Sequence, residues 1–406
     1  MPNLSQFPIG ASITLTMLEG DVHPLLHRLR DSEPVSWLPA LDAWLITRRD
    51  DAIAVMRDAK TYTVDHPGFS TAQVVGPSML SLDGRAHQQH RTPFERPFRK
   101  REVLTRFSST VTEQAMLLLD RLIAQGRGEL RREYAGPIAV QTMIAALGME
   151  RASTSAILGW YDTIVDAVTQ VSAGEPVPSN GRIAFAALRE NLLASLKRDP
   201  DSSLLAAVGS MAQGTIEESL SDDQIVSNAA VLLFGGIETT EGMIANAFYH
   251  LLTNPDLHQQ ACANPDILPA VVEESLRLEP AASVIDRYAT SDVQLGAAQI
   301  RAGDLVRISL AGANRDPETF PKPDHFDPHR PNLQTHVTFA QGPHVCLGIH
   351  LARLEAQDAL TLALQRLPGL HLEGTQVAIS SAKPQGLIFR KPQALHVRWD
   401  ERHLTG

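Results

Sequence analysis

The sequence predicts an α+β fold that is mainly α. Between Leu104 and Leu252 apolar residues recur at helical spacing. Short β-favouring runs gather toward the two ends, and no fixed-period repeat or low-complexity tract interrupts the pattern. Of the 406 residues, 43% are hydrophobic and 20% charged, enough for a large core and too apolar for a disordered chain. The 36 basic and 46 acidic residues leave a net charge of −10, which argues against general nucleic-acid binding. Two cysteines, Cys262 and Cys346, exclude a disulfide scaffold. No stretch approaches the roughly 18 apolar residues of a membrane span. Met1 to Arg30 has no secretory pattern, so a cytoplasmic protein without a membrane anchor is expected. At about 150 residues per domain, length alone predicts two or three domains.

The elements follow in order. Trp44-Leu45-Ile46-Thr47 is an apolar, β-favouring run, and Thr47 to Asp51 opens a helix over Ala52 to Met56. Pro67 to Leu80, rich in Gly, Pro and Ser, reads as a loop, and Gly174 to Gly181 as a surface connection between helices. Val293 to Leu310 returns to strands, with turns at Gly296 and Ala302-Gly303. A helix follows Cys346 to about Leu367, and Ala378 to Trp399 again looks like strands.

One helix is unusual. Ser221 and Gln224 form a capping box, and Thr253-Asn254-Pro255 supplies a stop after Leu252. At 1.5 Å per residue the helix spans roughly 46 Å, enough to cross the molecule. Its mostly apolar sides require burial. Its middle nevertheless reads Gly235-Gly236-Ile237-Glu238-Thr239-Thr240. Each glycine costs about 1 kcal/mol relative to alanine. Weak helix formers beside a carboxylate in a buried helix mark either a functional notch or a close helix crossing with a satisfied Glu.

The second anomaly is Phe339-Ala340-Gln341-Gly342-Pro343-His344-Val345-Cys346-Leu347-Gly348. The cysteine ends a Gly- and Pro-containing loop just before a helix, where backbone N–H groups and the helix dipole stabilise a thiolate. A buried structural cysteine and a Cys/His nucleophile are the alternatives. Zinc needs more ligands than this spacing offers. A lone thiolate on a glycine-bounded loop suits iron in a flat macrocycle, because the glycines let the backbone lie close to the ring.

This segment resembles the haem-binding loop of the cytochrome P-450 family, Phe-x-x-Gly-x-His-x-Cys-x-Gly, with Ala340 where a second Gly is usual. Gly235 to Thr240 resembles the family's oxygen-binding notch. Glu274-Ser275-Leu276-Arg277 resembles its Glu-x-x-Arg motif, with Arg330 as the meander partner. His87-Gln88-Gln89-His90-Arg91 resembles its His-x-x-x-Arg element. The resemblance runs from Pro34 to about Trp399 and is to the soluble bacterial type. It replaces the length-based domain count by one catalytic unit over residues 1–406, without a fused reductase, built as a helical bundle around haem with small β-sheets.

The resemblance implies haem b, with Cys346 as the iron ligand and Phe339, Gly342, His344 and Gly348 shaping its loop. His87, Arg91, Arg287 and His336 are the implied partners of the haem propionates, and Gly235 and Gly236 would leave room for dioxygen. Thr239 would hold oxygen or water, and Glu238 would admit protons to the relay. Glu274, Arg277 and Arg330 are structural. Implied activity is hydroxylation or epoxidation of a hydrophobic substrate, with electrons from NAD(P)H through a separate ferredoxin or flavodoxin-type partner. Seven basic residues between Arg85 and Arg106 face only Glu95 and Glu102. Near the proximal face they would dock an acidic partner, with Arg353 extending the surface. The pocket is expected from Pro67–Leu80, Gly174–Gly181, Val231–Ile237, Ala281–Ile285 and Gly386–Phe389, with Ile237 drying the distal wall, and the protein is expected to be a monomer. A peroxide-driven enzyme and a haem sensor are the competing readings; retention of Glu238 and Thr239 speaks against both.

Overall fold

The computed structural model describes residues 3–172, 175–211, 219–374 and 382–400. Helices α1 Pro8–Ala11, α2 Leu15–Glu19 and α3 His23–Ser32 come first. Strand β1 Val35–Leu38 then turns back into β2 Ala43–Ile46, the strand expected around Trp44. Helix α4 Arg49–Arg57 carries Asp50 and Asp51 in its first turn, where the helix dipole favours carboxylates.

After β3 Tyr62–Thr63 comes the first departure from expectation. The stretch read as a loop contains α5 Ser70–Val75, which buries Val74 and Val75 and stops at Gly76 with φ 87°. Six residues are too few for helical periodicity to register, so tertiary packing decides their conformation. The helical region continues with α6 Gly84–Glu95 and α7 Lys100–Ile123. It is interrupted by a short strand, β4 Arg127–Glu129. Helices α8 Gly136–Leu147, α9 Thr154–Ser172, α10 Ser179–Leu196 and α11 Leu204–Met211 follow. The expected surface connection is present at Glu175 to Pro178, while Ser179 already begins α10 and Gly174 lies outside the described residues.

Helix α12 runs from Asp222 to Leu252, 31 residues, with both halves of the capping box formed at Ser221 and Gln224. Helices α13 Pro255–Ala263 and α14 Leu268–Leu278 lead into β5 Val284–Ala289, β6 Val293–Leu295, β7 Ala298–Ile300, β8 Leu305–Ser309 and α15 Leu310–Ala313. Gly296 and Gly303 make the expected turns at φ 58° and 88°. Helix α16 Ile349–Arg366 follows the cysteine loop, and β9 His371–Leu372 and β10 His396–Arg398 complete the set. Most of the expected C-terminal strand region is irregular. Gly386, at φ 120°, folds residues 385–391 back so that Gln385 and Lys391 pair, and Ala378 to Ser381 lie outside the described residues.

Five strands form a sheet in the order β1-β2-β8-β5-β3, with β2 and β8 parallel and the other pairs antiparallel. Smaller sheets join β4-β10-β9 and β6-β7. The largest apolar core runs through α7, α8, α9, α12, α14 and α16 and holds Ile225, Leu233, Ile237, Ile244 and Phe248 of α12. The strands cover a second core around Trp44, Ile46, Val306 and Ile308.

A buried ion cluster ties helices to strands. Glu274 of α14 accepts from Arg277 Nε and Nη2, both at 2.7 Å, and from Arg330 Nε at 2.8 Å. The side chains of Glu274 and Arg277 are 0% exposed and that of Arg330 is 5%. Arg277 also donates to the carbonyls of Asn314, Pro323 and His325, and Arg330 to those of Pro321, Lys322 and His325. Asn314 in turn accepts from the Val337 N–H at 2.7 Å, two residues before Phe339. The cluster therefore fixes the entry of the cysteine loop, not merely its own helix. Replacing Arg277 by Ala would take two donors from the buried Glu274 and one from each of the Asn314, Pro323 and His325 carbonyls, and the expected loss is about 3–5 kcal/mol, read as a lower denaturation midpoint in urea.

Candidate active site

Helix α6 joins the cysteine loop to α12. His90 Nδ1 meets Asn228 Nδ2 of α12 at 3.1 Å, while the next residue, Arg91, donates from Nη2 to the Val345 carbonyl at 2.8 Å. One turn earlier, the His87 ring lies over that of His344, with centroids 4.3 Å apart. His344 Nε2 is 2.8 Å from Asp83 Oδ1, at the N-cap of the same helix. Asp83 also accepts from the Thr63 hydroxyl and the Val64 N–H. Although burial opposes its charge, these donors and His344 hold its carboxyl well below the usual range. His344, distant in sequence, is thus brought to His87 and Arg91 of α6.

Two cationic or polar groups here lack partners. Arg287 Nη2 and His87 Nε2 are buried and unpaired. A buried donor left unmade costs about 1–3 kcal/mol. Burial, then the neighbouring His344 and Arg91, push the His87 imidazole down to about 4. Burial likewise lowers Arg287, with Asp83 and Asp286 opposing. A buried acidic group is what these atoms fit.

Cys346 sits deep in the molecule yet keeps accessible surface, so it faces an interior cleft. Burial pushes its thiol up, while the Gly348 N–H and the charges of Arg91 and Arg353 pull it down. The Cys346 N–H donates to the Phe339 carbonyl at 2.8 Å, closing the loop on itself. Gly342 adopts φ 76°, and a Cβ there would fall 2.7 Å from the Met56 carbonyl oxygen, so glycine is required. Ala340 adopts φ 59°, the left-handed conformation that costs a non-glycine residue about 1–2 kcal/mol. The departure from glycine at this position is a point of strain.

His336 and Arg353 differ from expectation. His336 Nε2 lies 3.1 Å from Glu273 Oε2, and its Nδ1 accepts from the Thr338 N–H, so both nitrogens already have protein partners. Arg353 binds Glu273 through Nε at 2.5 Å and Nη2 at 2.8 Å, and its guanidinium covers the Phe339 ring at 4.8 Å. His336 and Arg353 brace the loop from below and are not free to hold an anion or extend a surface. Sequence spacing could not reveal Glu273 as their shared partner, since it is 63 and 80 residues away.

The two glycines of α12 also differ. A Cβ on Gly235 would meet nothing within 4 Å, whereas one on Gly236 would fall 2.2 Å from Met143 Sδ of α8. Gly235 borders open space; Gly236 exists for a close helix contact. Of the two sequence alternatives for this stretch, the close helix crossing is seen at Gly236. The Thr239 hydroxyl donates to the Gly235 carbonyl, one turn back. Ile237 is buried in the apolar core.

Glu238 is held by two residues that the sequence did not single out. Its Oε2 accepts from the Tyr161 hydroxyl of α9 at 2.9 Å, and its Oε1 from Lys391 Nζ at 2.5 Å. Burial opposes ionisation, but Lys391, Tyr161 and Arg131 together outweigh it and lower the Glu238 carboxyl. Around the notch, the expected pocket segments 281–285 and 386–389 meet: Ser283 N–H donates to the Ile388 carbonyl at 2.8 Å and its hydroxyl to the Leu387 carbonyl at 2.6 Å. Ile388, Phe389 and Leu80 expose apolar side chains. Of the basic run, Arg85, Arg96, Arg99, Lys100 and Arg101 are exposed. Burial depresses His350, at the start of α16, and Arg353 and Lys100 add to the effect, which puts Lys100 near the cysteine loop.

The family model described as Cytochrome P450 matches residues 186–397. The chain is 32% identical to "Mycinamicin IV hydroxylase/epoxidase" of Micromonospora griseorubida over 395 residues, 93% of this chain and 97% of that one. It is also 32% identical to "Nocardicin C N-oxygenase" of Nocardia uniformis subsp. tsuyamanensis, covering 97% of this chain and 98% of that one. Among solved structures, a cytochrome P450 from Chondromyces apiculatus superposes with TM-score 0.83 at 28% identity, over 96% of this chain and 97% of that one.

The two notch glycines make separable demands. Gly235→Ala is expected to be neutral or to stabilise by up to about 1 kcal/mol through helix propensity. Gly236→Ala should destabilise by about 1–3 kcal/mol through overpacking on Met143. Urea midpoints of the two variants check the contrast.

Proposed function

The chain belongs to the cytochrome P450 family and is a haem monooxygenase, and on that premise we propose that Cys346 is the thiolate ligand of haem b. When bound, the haem would supply the iron chemistry by which dioxygen, two electrons and two protons give one oxygen atom to the substrate and one to water. The observation that carries the reading is the pair of unpartnered, buried groups, Arg287 Nη2 and His87 Nε2, beside a loop whose one cysteine faces an interior cleft. Arg287 and His87 would take the propionates, with Arg91 and His344 alongside. His336 leaves this set because Glu273 and Thr338 occupy it. Arginine grips a carboxylate in two places, which sets the ring's orientation as well as its charge balance.

On the opposite side, Gly235 leaves the space in which oxygen can approach α12. Thr239 holds its hydroxyl toward that space by donating its proton to the Gly235 carbonyl, so its oxygen is free to accept from water or a reacting group. Glu238, one residue before it, takes protons from solvent and passes them toward Thr239. The buried apolar side chains of Leu233, Ile237 and Ile244 keep other water away from the helix.

The substrate is a hydrophobic organic molecule, bound against the exposed apolar side chains of Leu80, Ile388 and Phe389 and hydroxylated or epoxidised there. Electrons come from NAD(P)H through a ferredoxin or flavodoxin-type partner that is a separate protein. The exposed arginines from Arg85 to Arg101, with Lys100 near His350, would steer an acidic partner to the cysteine side. In this reading residues 1–406 act as one catalytic unit. Among the described residues no helix is long and apolar enough to cross a membrane.

The carbon monoxide difference spectrum of the reduced protein tests the ligand assignment. Thiolate-type absorption is expected in the parent and its loss in Cys346→Ala; a thiolate spectrum in that variant overturns the assignment. Thr239→Ala should still bind haem but divert reducing equivalents into hydrogen peroxide, raising peroxide per NAD(P)H consumed by about tenfold or more. Unchanged coupling would move the relay elsewhere.

A further inference from the structure

Glu273 and Glu274 are neighbours on α14 with different partners. Glu274 closes the ion cluster with Arg277 and Arg330, which fixes the helix at this point. Glu273 instead reaches the cysteine loop and α16. Its Oε1 accepts from Arg353 Nε at 2.5 Å and its Oε2 from Arg353 Nη2 at 2.8 Å, while the same Oε2 lies 3.1 Å from His336 Nε2. His336 Nδ1 accepts from the Thr338 N–H, so the ring hydrogen sits on Nε2 and is donated to Glu273. His336 therefore adds a hydrogen bond and no charge, and Glu273 and Arg353 form a one-to-one ion pair. Their side chains are 8% and 24% exposed, so water and salt screen the pair only in part.

The pair is aimed at the cysteine. A two-point grip fixes the plane of the guanidinium as well as its position. The guanidinium carbon lies 4.8 Å from the centroid of the Phe339 ring, over the face that attracts a cation. Phe339 is tied in turn to Cys346, whose N–H donates to the Phe339 carbonyl at 2.8 Å. The charges that bear on the Cys346 sulfur are those of Arg91 and Arg353. Arg91 is paired with Glu95, whose side chain is half exposed to water, whereas Arg353 is paired with a buried carboxylate. Of the two arginines, Arg353 is the one whose charge the protein itself offsets.

We propose that Glu273 is a positioning residue that holds Arg353 on the Phe339 face and offsets part of its charge, so that the pair sets the ferric–ferrous potential of an iron bound at Cys346. This rests on the reading of Cys346 as the haem ligand. Reduction adds one electron, delivered by the redox partner, to the iron; no bond is made or broken, and the pair transfers neither proton nor electron. Its part is electrostatic. In a site largely out of water, the added negative charge is favoured by the arginine and opposed by the glutamate.

The test is a potentiometric titration of the haem-loaded, substrate-free protein with redox mediators, with the carbon monoxide spectrum of each variant recorded alongside. Glu273→Gln keeps the side chain's shape and removes its charge. The ferrous-to-ferric ratio at a given potential should then rise by about tenfold, which is about 59 mV upward for a one-electron couple. Arg353→Gln leaves the negative charge alone and should lower the ratio by a similar factor. Arg353→Lys, which keeps the cation without the two-point grip, should fall between Arg353→Gln and the parent. The double variant Glu273→Gln/Arg353→Gln strands no charge and should return to within about threefold of the parent. Together with Glu273→Gln it decides the matter where Arg353→Gln retains too little haem to titrate. An unshifted potential in Glu273→Gln, or shifts of the same sign in both single variants, overturns the proposal while thiolate-type absorption in the parent leaves the Cys346 reading standing. A parent without that absorption overturns the Cys346 reading and the proposal with it.

Discussion

A buried charge must be matched where it lies, because an ion taken out of water without a partner costs several kcal/mol. That constraint organises this molecule. Glu274 is enclosed by Arg277 and Arg330, Glu273 by His336 and Arg353, Glu279 by His23 and Arg390, and Glu238 by Lys391. Each pairing joins segments that the chain separates widely, apart from Glu274 and Arg277 on one helix. Together they lock the meander, the cysteine loop and the C-terminal segment onto α12 and α14. Several buried polar atoms still lack a partner, Arg30 Nε and Glu355 Oε1 among them, and two of these, Arg287 Nη2 and His87 Nε2, both lie near Asp83 beside the cysteine loop. The same rule that explains the frame thus identifies the place where an acidic group from outside the chain belongs.

Much of this was legible in the sequence, for local reasons. The 31-residue helix was bounded correctly because a capping box and an Asn-Pro stop are encoded within a few residues of the ends. The cysteine loop was legible because its glycine and its helix start are contiguous, and the Glu274–Arg277 pair because three residues on a helix share a face. The missing parts are long-range. Nothing near Glu238 announces Tyr161 or Lys391, which lie 77 and 153 residues away. His336 looked like a haem contact because the sequence could not show Glu273 beneath it. Gly235 and Gly236 looked alike because only the arrival of Met143 from α8 distinguishes them. Helix α5 was lost for a different reason, being too short to display a period.

The notch shows how a helix can carry function without being broken. Gly235 opens space, Gly236 admits α8, and the Thr239 hydroxyl satisfies the carbonyl of Gly235. The ladder on either side remains continuous from Asp222 to Leu252. The weakness of the local sequence is offset by burial along the rest of the helix, whose apolar residues belong to the largest core. A carboxylate can then sit mid-helix because its charge is answered from α9 and from the C-terminal segment, not from its own neighbours.

The pairing of Glu279 with Arg390 also bears on how the molecule is made. The two residues are 111 positions apart, so at about 5–20 residues per second a ribosome needs roughly 6 to 22 s to add the arginine after the glutamate. Until then the end of α14 carries a carboxylate that the finished structure buries with Arg390 against it, and α12 carries Glu238 without Lys391. Until Arg390 is made, Glu279 has only His23 and Arg315 to answer its charge, and Glu238 lacks Lys391. The C-terminal segment thus completes the charge matching of both helices, which makes its docking a late event in synthesis.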